Sequence, residues 1–143
     1  METVHRRGVK FFITIKLLLY FCRCQCELCV AMPTQDESIC CREQKVVHKI
    51  PDTVKCITSH ENFSAVCLNE DVLEVAYMTY KQYVHLDYEN NWKRYTAYRQ
   101  FIRWIYHHLG EKVRIPIPAR VVHKIRETFP LQEGQHVGFT YAD

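Results

Sequence analysis

The sequence predicts an α+β fold, mostly helical with a small β element, in a single domain. Three observations predict it. With 143 residues, 48% of them hydrophobic and 13% aromatic, the chain is long enough to bury one core and too short for two. Apolar residues recur at helical spacing over several stretches after residue 56. Two further segments, EKVRIPIP at 111–118 and HVGFTY at 136–141, read as extended chain, the first because its prolines exclude helix.

Taken in order, residues 1–21 stand apart. A basic start (His5, Arg6, Arg7, Lys10) runs into FFITIKLLLYF, which Lys16 interrupts. The apolar run is about half of the ~20 residues a membrane helix needs. A signal-type cleavage near Ala31 would cut through a cysteine cluster. This segment reads as a variable leader, amphipathic or disordered, and residues 22–143 as the domain.

In CITSHENFSAVCL, Ser59 with Asn62 three residues on marks a helix start, and Phe63, Val66 and Cys67 fall on one face of a short helix. Asn69 then caps a longer helix running to about Leu86. Its stripe is Val72, Val75, Ala76, Thr79 and Tyr83, widened by Leu73, Tyr77, Tyr80 and Val84, so burial on two sides is expected. Asn90 or Asn91 opens the next helix, in which Tyr95, Tyr98, Ile102, Ile105 and Leu109 repeat until Gly110 supplies a left-handed stop. Pro118 begins a last helix with Val121, Val122, Ile125 and Phe129 facing the core, and Pro130 ends it.

Four of the eight cysteines lie within CRCQCELC, at Cys22 to Cys29, and the vicinal pair Cys40–Cys41 follows. In an oxidising compartment they would pair as disulfides; in a reducing one such thiols are metal ligands. Spacing favours metal. Cys24, Cys26 and Cys29 form C-x-C-x-x-C, Cys56 closes the group, and a disulfide between vicinal cysteines is strained. Zinc takes four thiolate or imidazole ligands, so six cysteines (Cys24, Cys26, Cys29, Cys40, Cys41, Cys56) suit one ion, or two if sulfurs bridge. Disulfides and palmitoylated or unligated thiols are the alternatives. Cys67 reads as an apolar core residue.

The formal charge, 19 basic minus 16 acidic residues or +3, does not by itself name a partner. Lys93, Arg94, Arg99 and Arg103 read as a solvated helix face. With Lys112, Arg114, Arg120, Lys124 and Arg126 they would instead form a basic surface for nucleic acid, with tyrosines for stacking. No Ser-His-Asp order, P-loop, HExxH motif or paired carboxylates are present, and a thiolate-saturated zinc has no position for water, so an enzyme is not expected.

CQCELC, CC, CIT, VLEVAYMTY, YRQFIRW, IPARVVHKIRETFP and the closing GF closely resemble the cytoplasmic carboxy-terminal, or ballast, domain of the purinergic receptor channels of subtype seven. The resemblance covers roughly residues 22–143. It implies a helical, cytoplasmic domain with two zinc ions and a guanine nucleotide (GDP or GTP) site; an interaction module of this kind could also dock an unidentified protein or membrane partner. Position by position, the zinc ligands fall on Cys24, Cys26, Cys29, Cys40, Cys41 and Cys56. A further family cysteine is replaced by Arg120, which makes His48 or His60 a substitute ligand. The nucleotide contacts fall on Arg94, Tyr95, Tyr98, Ile115 and Ile117, and on Val122 and Leu131, where the family has basic residues. Arg120 and Arg126 stand near enough in sequence to compensate. The channel part of the receptor is absent from this sequence, so the expectation is the domain alone.

Overall fold

A computed structural model describes residues 24–80 and 90–141. The leader, Cys22 and the far end of the second helix, with Tyr83, Val84 and Leu86, lie outside the described residues. Among the described residues, four α-helices follow three short 3-10 turns at Cys41–Glu43, Lys45–Lys49 and Ile57–Ser59. They are α1 (Phe63–Cys67), α2 (Glu70–Tyr80), α3 (Asn91–Tyr106) and α4 (Ala119–Thr128).

The helix starts follow local chemistry, with adjustments. Asn69 caps α2 as its sequence suggests, its Oδ1 accepting the Val72 amide at 3.1 Å. Asn90 precedes α3 but turns its amide outward to donate to the Pro130 carbonyl at 3.1 Å, joining the start of α3 to the end of α4. Ser59 does not start α1. It lies in a 3-10 turn, and Asn62 takes the capping position. Helix α3 also stops before Gly110: His107 adopts φ 60 and ψ −70, and the His108 amide bonds back to the Tyr106 carbonyl at 2.7 Å. This is a γ-turn of the strained hand.

One contiguous core gathers Phe63 of α1, Leu73 of α2, Phe101 and Ile105 of α3, and Val121 and Ile125 of α4. Helix α3 is the centre of the molecule and packs against the other three. Phe101 is fully buried, with edge contacts to Phe63 at 6.4 Å and to Trp104 at 6.4 Å; a phenyl ring so enclosed contributes about 1.5–3 kcal/mol through burial.

Two faces differ from the pattern in the sequence. On α2 only Leu73 and Tyr77 are buried, with Tyr77 against Trp92 at 5.5 Å, whereas Val75 and Met78 are 67% and 51% exposed. On α3 the buried row is Arg94, Ala97, Phe101 and Ile105, and Tyr95 is exposed. Both helices carry apolar residues on more than one side, and neighbours choose between them.

The expected small β element does not form among the described residues, where no strand occurs. Residues 113–118 and 135–141 form no regular element, and Pro116 and Pro118 lack amide protons for a ladder. Their polar groups go to side chains instead. The Pro116 carbonyl accepts from Gln44 at 2.9 Å, and the Phe139 amide donates to Glu37 at 2.9 Å.

Candidate metal centre and neighbouring groove

The six cysteines singled out above converge. The Sγ atoms of Cys24, Cys26, Cys29 and Cys40 lie within 4.8 Å of one another, and so do those of Cys26, Cys41 and Cys56. Cys26 belongs to both groups, the arrangement a bridging thiolate requires. Within the C-x-C-x-x-C loop the Sγ separations are 3.6 Å for Cys24–Cys26 and 3.4 Å for Cys26–Cys29. The turn that brings Cys29 back onto Cys26 runs through Glu27, at φ 65, a left-handed position that few side chains adopt.

Other residues hold the remaining cysteines. The Glu43 carboxylate accepts the Cys40 amide at 2.9 Å and fixes the turn carrying the vicinal pair. Arg42 spans the loop, donating to the carbonyls of Lys55 at 2.8 Å and Val54 at 2.9 Å, directly before Cys56. The Ala119 amide donates to the Ile39 carbonyl at 2.8 Å, seating the start of α4 beside Cys40. Sequence reasoning missed Arg42. Its only signal is its place next to Cys41.

The thiols are electrostatically unequal. The Cys41 thiol, 3.9 Å from the Cys56 sulfur, and then the Thr58 hydroxyl at 3.2 Å hold Cys56 down at about 5, against the cost of burial. Burial pushes Cys26 up to about 12. Cys67 is likewise raised to about 12 by burial alone and belongs to neither ligand group.

The donor set fits zinc in the first group. Bonds of about 2.3 Å in a tetrahedron put sulfurs roughly 3.8 Å apart, close to the spacing observed. The second group offers three thiols, and none of the other described residues joins it. His48 is exposed. The His60 ring stands edge-on to Trp104 at 5.0 Å, and its Nδ1 accepts the Asn62 amide at 3.0 Å. Arg120 makes a 3.1 Å contact with His123 Nδ1.

A groove of about 700 Å³ lies between α3, α4 and the two segments at 113–118 and 135–141, and none of the six cysteines lines it. Four of the five sequence-derived nucleotide residues line it: Tyr95, Tyr98, Ile115 and Ile117, with Val122 and Arg126. Arg94 is not among the lining residues. It is 5% exposed, donates to the Phe129 carbonyl at 2.8 Å and also bonds the Asn91 side chain. Arg99, Arg103 and Arg114 add positive charge to the wall, and Glu37 is its one acidic group among the described residues. Arg99 lies over the Tyr80 ring at 4.5 Å and the Tyr95 ring at 5.5 Å, and Arg103 over Tyr80 at 5.1 Å. Of the other basic residues, Lys93 pairs with Glu70 at 3.1 Å, and the burial of Arg94 removes it from any surface face.

Comparison with known proteins decides the relationship. The family described as the P2X purinoreceptor 7 intracellular domain matches residues 19–140. The chain belongs to this family. It is 28% identical over 125 residues to the P2X purinoceptor 7 of Rattus norvegicus and 29% over 125 residues to that of Mus musculus, in each case covering 82% of this chain. The chain spans about a fifth of the length of these curated relatives, 20% in both. A P2X purinoreceptor 7 intracellular domain is cytoplasmic, as the sequence led us to expect, and the family is not one of enzymes. No helix among the described residues is long and apolar enough to cross a membrane.

Proposed function

We propose that this P2X purinoreceptor 7 intracellular domain is a zinc-stapled interaction module, without enzymatic activity, that binds a guanine nucleotide weakly in the groove between α3 and α4. The observation that carries the zinc reading is the convergence of six cysteines from three separate stretches on two groups sharing Cys26. Zinc in the four-thiolate group contributes folding free energy rather than a reactive water, because its coordination is closed. Cys26, Cys41 and Cys56 hold a second ion less completely. Elemental analysis after purification without added metal tests the reading. One to two zinc ions per chain are expected; a folded chain with less than about one overturns it.

The nucleotide reading is supported by Tyr95, Tyr98, Ile115 and Ile117 lining one groove. Affinity is low because Val122 and Leu131 bring no charge where the family has basic residues. Each lost charge-assisted bond is worth about 1.5–3 kcal/mol, so two remove at least two orders of magnitude. Calorimetry with GDP on the zinc-loaded chain reads this directly. The arginines and tyrosines of the same groove also favour a second reading, single-stranded nucleic acid. That binding weakens steeply with salt, whereas a nucleotide pocket's does not.

A further inference from the structure

The arginines of the groove are not equally available. Arg99 and Arg103 lie on tyrosine faces, and Arg103 also reaches the Tyr80 hydroxyl at 3.2 Å. Arg94 is committed to the Phe129 carbonyl. Arg114 and Arg126 differ, for both bond to one extended segment near the end of the chain. Arg114 Nη1 lies 3.4 Å from the Thr140 carbonyl and 3.3 Å from its hydroxyl. Arg126 Nη2 lies 3.4 Å from the Val137 carbonyl, and its Nε is 3.3 Å from the Tyr98 hydroxyl. All four contacts are longer than a good N–H···O bond of about 2.7–3.2 Å, and all go to neutral acceptors. A phosphate oxygen makes bonds to guanidinium roughly twice as strong, often in pairs.

The segment itself is lightly held. Val137 is 88% exposed and Tyr141 60%, and no strand pairing restrains them. Its anchor is Glu37, 6% exposed, which takes the Phe139 amide at 2.9 Å and the Thr34 hydroxyl at 2.7 Å. Burial opposes charge on Glu37, but those two donors and the Arg126 charge outweigh it and keep the carboxyl below its ordinary range. Gly138 makes the anchor possible. A Cβ there would stand 2.6 Å from Glu37 Oε1, so any side chain must displace either the segment or the carboxylate that holds it.

We infer that Arg114 and Arg126 are the phosphate seat of the groove and that residues 137–140 are an internal competitor, whose carbonyls occupy these guanidiniums until an anionic ligand displaces them. The inference rests on the nucleotide reading above and assigns the phosphate contacts within it. The competitor lowers apparent affinity by the fraction of time it covers the seat.

The test is calorimetry of GDP, with inorganic pyrophosphate as a phosphate-only probe, on the full zinc-loaded chain. Gly138→Val touches no arginine and should tighten GDP binding about threefold or more, whereas Arg126→Gln should weaken it at least about tenfold and Arg126→Lys recover part of the loss. A second readout needs no variant: saturating GDP should speed chymotrypsin cleavage after Phe139. Unchanged or weaker binding by Gly138→Val, or slower cleavage with GDP, makes the segment a lid or a wall and overturns the inference. GDP binding indifferent to Arg126→Gln also overturns it. Pyrophosphate binding without any preference for GDP defeats the guanine reading while upholding the seat. Binding of neither probe by wild type or by Gly138→Val defeats both.

Discussion

Cys56 and Cys67 are both fully buried, yet their neighbours give them different chemistry. Cys56 has a thiol and a hydroxyl directed at its sulfur; Cys67 has only apolar surroundings and keeps its proton. We expect Cys56→Ser to lower metal content, whereas Cys67→Ser leaves it unchanged and costs about 1–3 kcal/mol of stability by burying a hydroxyl. Elemental analysis and denaturant unfolding of the two variants separate these effects. Arg94 shows the limit of reading residues singly. Its match to a family motif suggests a phosphate contact, but its guanidinium satisfies the carbonyl that ends α4. Arg94→Ala leaves that carbonyl unpaired and should cost about 1–3 kcal/mol, measured by thermal unfolding without nucleotide.

Helix positions follow from capping and proline chemistry, which act over a few residues, and α4 runs almost as its sequence indicates, over Ala119–Thr128 with Pro118 and Phe129 as its caps. Helix faces do not. Helix α2 carries two overlapping apolar stripes, and packing against α3 selects Leu73 and Tyr77. Leu73→Ala is therefore expected to cost about 2–5 kcal/mol, and Val75→Ala less than about 0.5 kcal/mol, in the same unfolding assay. Equal costs would mean that the exposed face is covered. The end of α3 offers a second test. His107 holds a positive φ that glycine adopts freely, so His107→Gly should raise the midpoint of thermal unfolding by relieving about 1 kcal/mol of strain.

The cysteine cluster and the helical core are one body. Cys26, Cys40, Cys41 and Cys56 lie in the same buried cluster as Phe101, Val121 and Ile125. The segment supporting them contributes few large side chains, chiefly Val46, Ile50 and Ile57, so the proposed ion would supply binding energy that the segment's own apolar burial does not. Removal of the metal with a strong chelator should unfold the chain in a single transition, followed by the helical circular dichroism signal. A helical signal that survives chelation would show that the helices stand alone. Acid should act in the same direction, because thiolate ligands must be deprotonated to hold metal.

By itself the sequence determined which six cysteines come together, the order and approximate limits of the helices, and the family. Each of these is written in short-range spacing: C-x-C-x-x-C, a vicinal pair, caps and prolines. Tertiary structure decided the rest. It shared Cys26 between two groups, turned Tyr95 outward and Arg94 inward, and spent the polar groups of two extended segments on side chains rather than on a sheet. Contacts such as Arg42 with Val54, Gln44 with Pro116 and Glu37 with Phe139 join residues whose separation carries no periodic signal. Local pattern states which residues can be buried or ligated; competition among such distant contacts for one core settles which of them are.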